Sequence, residues 1–325
     1  MKICIFGAGA TGGYLGAELT WAGFDVTLVA RGRHLAAMRQ NGLTLLIDGK
    51  TKRARVACTG DPAEAGPQDY VFLTVKAHSL PPVAGTLKPL LGPQTVVVTA
   101  QNGIPWWYFY KLGGAWDNRR LESVDPGGAV WDAVGPHRAI GCVVYPSTEV
   151  VEPGVIKHVS GTRLMLGEPD GSKSERVVAL SKALTTAGFK APVRSRIRDD
   201  IWLKLWGNVS FNPVSVLTHA TLEELVRDQG VRAVIRRMMV EAQAVGERLG
   251  ASFSVDVDTR IGWAEDVGAH KTSMLQDLEV GRPMEIEALV GAVAEMSRLV
   301  DVPTPTIDLV LALVKLRAQA AGRPS

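Results

Sequence analysis

Lys204, Asn208 and Asn212 have the types and the spacing needed to donate a proton to a developing oxyanion. They stand at i, i+4 and i+8 in Trp202-Leu203-Lys204-Leu205-Trp206-Gly207-Asn208-Val209-Ser210-Phe211-Asn212-Pro213, and at about 100° per residue they share one helical face. An ammonium stabilises negative charge growing on a carbonyl oxygen and can then give up its proton. Neutral amides beside it can hold hydroxyl or carboxylate groups without adding charge that would disturb the lysine. Trp202, Leu205, Trp206 and Val209 form an apolar stripe alongside, so the polar stripe borders the buried side. The segment is poorly chosen for stability alone, because glycine costs about 1 kcal/mol and proline about 3 in a helix interior, and it carries Gly207 and Pro213.

A second constellation opens the chain. Gly7-Ala8-Gly9-Ala10-Thr11-Gly12 is a G-x-G-x-x-G turn placed directly after a β-rich run and directly before a helical one. Gly7 permits the tight turn, Gly9 lets the backbone approach a pyrophosphate, and Gly12 allows close helix and strand packing. The helix N-terminus, with Ala8, Ala10 and Thr11 around it, presents N–H groups to the anion. A carboxylate at the end of the next strand would accept hydrogen bonds from the ribose of NAD and repel a 2′-phosphate. None is present: Ala30 is followed by Arg31-Gly32-Arg33-His34. Guanidinium forks suit phosphate, so NADP is the expected cofactor. Lys76 and Gln101-Asn102-Gly103 follow two further strand-like runs, at the carboxyl ends where such sheets bind ligands; Asn-Gly is also an ordinary turn signal. Ser273 and Glu285 flank a break at Gly281-Arg282-Pro283. On local grounds Ser273 fits a capping box, and Glu285 suits the first turn of a helix after proline.

The elements that must hold these residues follow from periodicity. Up to about residue 195, short β-rich runs alternate with helical stretches, the pattern of an α/β fold with a helix-covered parallel sheet. Strands are expected at 2–6, 26–30, 70–75, 95–100, 139–144, 155–158 and 163–166. The runs 70–75 and 95–100 are apolar on both faces, as strands between two helical layers must be. After Arg198 the texture becomes helical, as in Val231, Ile235, Met238, Met239, Ala242 and Val245. A two-domain division follows, 1–195 and 196–325, with the break near Pro192. The 105–138 segment interrupts the rhythm and holds four of the eight tryptophans. A connection of that length is a lid, a subunit contact or a packed excursion.

Composition narrows the classes. Lys and Arg exceed Asp and Glu by 36 to 33 in 325 residues, too small a surplus for a nucleic-acid-binding surface by bulk charge. No apolar run approaches the roughly 20 residues of a membrane-spanning helix, and the first residues carry no export signal. Cys4, Cys58 and Cys142 are scattered, as are the six histidines, which points to neither a disulfide framework nor a metal site and fits a reducing cytoplasm. A homodimer is the commonest assembly for such an enzyme.

Together, the Gly7 to Gly13 turn, Lys76, Gln101-Asn102-Gly103, Lys204 with Asn208 and Asn212-Pro213, and Ser273-Met274-Leu275-Gln276-Asp277 followed by Glu285 resemble the ketopantoate reductase (2-dehydropantoate 2-reductase) family nearly end to end. The resemblance implies an N-terminal Rossmann domain followed by an all-helical domain like the C-terminal domain of 6-phosphogluconate dehydrogenase. It implies NADPH-dependent reduction of 2-dehydropantoate, a 2-oxo acid, to (R)-pantoate, toward pantothenate and coenzyme A. By the same resemblance Lys204 is the general acid, and Asn208, Asn212 and Ser273 bind substrate. Asn102 sits between nicotinamide and substrate, Lys76 and Arg31 contact the cofactor, and Glu285 lies beside the nicotinamide ribose and Lys204. One departure stands out: the tryptophan-rich 105–138 segment replaces the family's compact helix after the fifth strand. It leaves open a larger or more apolar 2-oxo acid or carbonyl, and a non-catalytic NADP-binding sensor. The intact Lys204 and Glu285 argue against a sensor, which has no need of a general acid.

Overall fold

The computed structural model describes residues 1–322. Its chain contacts divide it into two units. The first comprises Met1–Gln101, Pro105–Arg120 and Gly127–Ile197; the second comprises Asn102–Ile104, Leu121–Pro126 and the chain from Arg198 onward.

In the first unit, β1 (Lys2–Phe6), α1 (Ala10–Trp21), β2 (Asp25–Val29) and α2 (Gly32–Asn41) are followed by β3 (Leu43–Ile47), β4 (Lys50–Ala54), β5 (Ala57–Thr59), β6 (Gln68–Leu73) and β7 (Leu91–Thr99). Then come α3 (Ala129–Val134), β8 (Ala139–Val144), β9 (Ser147–Glu152), β10 (Val155–Ser160), β11 (Leu164–Gly167) and α4 (Glu175–Thr186). Seven strands form one sheet in the order β11-β8-β7-β6-β1-β2-β5. All its pairs are parallel except β11 with β8, the doubly wound order with one antiparallel edge strand added. Its centre is made of runs buried on both faces, including Ile3 to Phe6, Tyr70 to Leu73 and Val96 to Val98, which is why these strands read as continuously apolar.

A second sheet, in the order β4-β3-β10-β9, was absent from the sequence expectation. The strand expected at 155–158 belongs to it, because β10 pairs parallel with β3 and antiparallel with β9 rather than joining the main sheet. Its hairpin was legible: Ile47 and Lys50 pair across Asp48-Gly49, both at positive φ, and Asp-Gly is the strongest short-range hairpin signal.

The aromatic start of the tryptophan-rich segment is packed, while most of residues 111–120 are exposed. Trp106, Trp107, Tyr108 and Phe109 are buried, and the Trp107 indole donates to Thr99 Oγ1 at 3.1 Å. Trp131, on α3, meets Trp106 and Tyr110 edge to face.

The second unit is helical: α5 (Ile197–Thr218, its first residue in the first unit), α6 (Leu222–Arg227), α7 (Gln229–Arg248), α8 (Val257–Val267), α9 (Ser273–Glu279), α10 (Ala292–Leu299) and α11 (Pro305–Ala320). A π-helical turn, Glu287–Gly291, leads into α10. Of the periodic apolar residues expected on α7, Ile235, Met238, Met239, Ala242 and Val245 are buried, and Val231 in the first turn is half-buried. Among the described residues no helix is long and apolar enough to cross a membrane, and no cluster of three or more His, Cys, Asp or Glu could hold a metal ion.

Candidate active site

The glycine turn is held by the first two strands. Gly7 and Ala8 donate their N–H groups to the Val29 carbonyl at 3.1 and 3.0 Å, so the chain reverses directly over the end of β2. Gly7 has φ +110°, and a Cβ there would lie 2.7 Å from Val75 N, so only glycine satisfies both the conformation and the space. Thr74 Oγ1 donates to the Gly7 carbonyl at 2.7 Å and would lie 2.6 Å from a Cβ on Gly12. Thr74 therefore buttresses the turn, and sequence reasoning missed it; its signal was a threonine at the end of a buried strand beside Lys76. Gly9 is different, since a Cβ there meets nothing within 4 Å. Gly9 caps α1 without a side-chain hydrogen bond, and the first N–H groups of a helix lack intrahelical acceptors. Ala10 and Thr11 open that first turn. An open face over a helix N-terminus is what a pyrophosphate requires.

Arg31 caps α2 and is exposed, as is Arg33, and neither forms an ion pair among the described residues. His34 is more constrained than the sequence implied. Its Nδ1 accepts from Gly154 N–H at 3.0 Å, and burial pushes its imidazolium below the ordinary range against an opposing pull from the Ala8 backbone. Lys76, half-buried, begins the turn after β6, and its carbonyl accepts from Ser79 N–H at 2.9 Å. Gln101 Nε2 donates to the Val75 carbonyl at 2.7 Å, tying together the segments that leave β6 and β7.

Within the helical unit, the sequence-distant Lys204 and Asn102 meet: Lys204 Nζ donates to Asn102 Oδ1 at 2.7 Å. An ammonium can only donate, so the contact orients the amide and leaves its NH₂ as donor to a ligand. Two features hold Asn102 in place. Ile104 N–H donates to the Ala288 carbonyl at 3.0 Å, on the π-helical turn. Gly103, at φ +87°, lies so close that a Cβ would sit 2.8 Å from the Ala288 carbonyl carbon. A π turn displaces the regular carbonyl ladder and is frequent at functional sites. Here the Ala288 carbonyl receives Ile104 N–H of the loop that carries Asn102.

Asn208 is half-buried one turn beyond Lys204, and Asn212 is 5% exposed on the turn after that. Gly207 has a packing reason, since the Arg260 guanidinium lies where its side chain would be. Pro213 stays inside a continuous α5. Ser215, two residues on, shares a 2.6 Å hydrogen bond with Thr272. That contact corrects the capping reading of Ser273: the N-cap of α9 is Thr272, whose hydroxyl accepts from Leu275 N–H, and Ser273 is the exposed first residue of the helix. Thr and Ser are both good caps, so sequence alone could not choose between them. Glu285 is 9% exposed and directly precedes the helical turn, its carbonyl accepting from Leu289 N–H.

The chain is similar to known proteins in sequence and in fold. The sequence model of the family described as Ketopantoate reductase PanE/ApbA matches residues 3–106, and that of its C-terminal part matches residues 196–318. The chain is 58% identical over 323 residues to the 2-dehydropantoate 2-reductase of Mesorhizobium japonicum, covering 99% of each. A crystal structure from Ralstonia solanacearum MolK2 superposes with a TM-score of 0.95 at 45% identity, covering 99% of both chains. That of the Geobacter metallireducens GS-15 2-dehydropantoate 2-reductase superposes at 0.86 with 26% identity, covering 97% of this chain and 99% of its own. With both family models matched in chain order and a relative of this identity aligned end to end, the chain belongs to the ketopantoate reductase family.

Proposed function

We propose that the protein reduces 2-dehydropantoate to (R)-pantoate with NADPH, a step toward pantothenate and coenzyme A, with Lys204 as the general acid. The observation that carries the mechanism is the 2.7 Å bond from the Lys204 ammonium to Asn102. It presents a proton donor beside a residue that continues directly from Gln101. The substrate follows from the end-to-end identity to a relative named for that reaction. Bound NADPH supplies the hydride that reduces the ketone carbon. Lys204 stabilises the charge that develops on the ketone oxygen and delivers the proton that makes it a hydroxyl. Asn102, with its carbonyl oxygen taken by Lys204, turns its NH₂ to the ligand. Asn208, Asn212 and Ser273 hold the carboxylate and hydroxyls, and Glu285 borders Lys204 and the nicotinamide ribose. The turn from Gly7 to Gly12 cradles the pyrophosphate, Lys76 contacts the cofactor, and Arg31 recognises the 2′-phosphate.

NADPH consumption measured with 2-dehydropantoate, pyruvate, 2-oxoisovalerate and a bulky aromatic 2-oxo acid tests the substrate. Efficient turnover of the first is expected; turnover of another alone moves the assignment to that compound. Lys204→Ala should lower kcat by roughly 10²- to 10⁴-fold while NADPH affinity, read by fluorescence titration, is retained. An unchanged kcat removes the lysine from the chemistry. NADPH should be preferred to NADH, and Arg31→Ala should narrow the preference by raising the KM for NADPH; equal use of both cofactors by the unmodified enzyme overturns the phosphate role.

A further inference from the structure

Gly207 leaves a gap on α5 that a guanidinium fills. It stands inside the helix, three residues after Lys204 and one before Asn208, where glycine lowers helix stability. A Cβ there would lie 2.9 Å from Arg260 Cζ and 3.5 Å from its Nη1, so the end of Arg260, on α8, is seated against the α5 main chain. The ring of Trp263, one turn further along α8, has its centroid 5.6 Å from the same Cζ. The two acids nearest to Arg260 in sequence are engaged elsewhere: Asp256 caps α8 by accepting Thr259 N–H, and Asp258 pairs with Arg236.

We infer that Arg260 recognises the carboxylate of the 2-oxo acid substrate. The inference rests on the proposed reaction and adds the cation which that reaction lacks. At about 100° per residue, Gly207 lies about 60° around α5 from Lys204, and Asn208 about 40° on the other side. Residues three apart on a helix have Cβ positions roughly 5–6 Å apart, which puts the Arg260 guanidinium carbon within about 9 Å of Lys204 Cβ. Asn208, Asn212 and Ser273 are neutral, and Lys204 is committed to the ketone oxygen. A carboxylate held by those groups alone would be desolvated without an opposite charge, which is costly. A guanidinium is always charged, and its planar fork of donors matches a carboxylate. Glycine at position 207 is what admits it beside Lys204, because a side chain there would occupy its seat.

Steady-state kinetics with 2-dehydropantoate, and with its lactone as the uncharged comparison, test the role. Arg260→Gln should raise the KM for the acid by roughly 10- to 100-fold, with kcat at saturating acid, NADPH affinity and turnover of the lactone nearly unchanged. Arg260→Lys should recover part of the loss, since it restores the charge without the fork. Gly207→Ala disturbs the same contact from the other helix and should also raise the KM for the acid, so a poorly folding Arg260→Gln does not leave the role untested. An unchanged KM for the acid, or equal losses for acid and lactone, overturns the carboxylate role. A lowered melting temperature with an unchanged KM assigns Arg260 instead to offsetting the charge of Asp200, which is 6% exposed one turn before Lys204. Absence of turnover by the unmodified enzyme overturns the proposed reaction itself; turnover with a KM indifferent to Arg260 overturns this inference alone.

Discussion

At the scale of single residues, the site works by restricting what each group can do. Lys204 donates to the Asn102 amide oxygen, a neutral acceptor that orients the ammonium without taking its proton. His34 shows the opposite restriction, because its Nδ1 is already an acceptor for Gly154 N–H, and adding a proton there forfeits the bond. Burial accordingly holds its pKa below the ordinary histidine value, with the Ala8 backbone opposing in part. The sign of the linkage follows. Above the unfolded value of about 6.5 both states are neutral and the stability of the fold is fully present. As pH falls below it the unfolded chain takes up a proton first, and stability is lost until the folded histidine titrates. His34→Asn keeps an acceptor for Gly154 and removes the titration. Urea midpoints measured from about pH 7 to about pH 5 should therefore fall less steeply in the variant; identical slopes would show that His34 does not couple to folding.

At the scale of elements, the sharpest demand falls on the short loop that carries Asn102. Gly103 is at φ +87° against the Ala288 carbonyl, and Ile104 hydrogen-bonds that same carbonyl. Gly103→Ala combines a left-handed backbone with a clash against main chain, which should destabilise the protein by about 1–3 kcal/mol. It should also lower kcat by displacing Asn102 from Lys204. Thermal unfolding and steady-state kinetics on the same preparation check both, and a wild-type melting temperature with wild-type kcat would show that the π turn yields freely. The neighbouring Gly207 is a softer case, because the atoms it makes room for are the mobile end of Arg260. Periodicity exposed the polar stripe of α5, but the reason its glycine is tolerated lies on α8, more than fifty residues away.

At the scale of the molecule, a dinucleotide that binds only the folded chain stabilises it by mass action, so the melting temperature should rise with NADPH concentration, and an unchanged melting temperature at saturating NADPH would count against cofactor binding. The same scale separates what was legible from what was not. The residue types and periods determined the parallel strands around the glycine turn, the helical second half, the α5 stripe and the family resemblance, because each is written in neighbouring residues through periods of 2 and about 3.6. The β3–β4 hairpin was also written locally, in Asp48-Gly49, and was missed. Other features had no local signature. The parallel pairing of β10 with β3 joins segments more than a hundred residues apart. The chain also groups Leu121–Pro126 with the helical unit, where Glu122 and Ser123 N–H groups bond the Glu295 carboxylate. The bond from Lys204 to Asn102 and the choice of Thr272 as the cap of α9 complete the set. These were decided by the tertiary structure, because a hydrogen bond or a close approach between distant segments depends on where the intervening chain places them, and no spacing along the sequence encodes that distance.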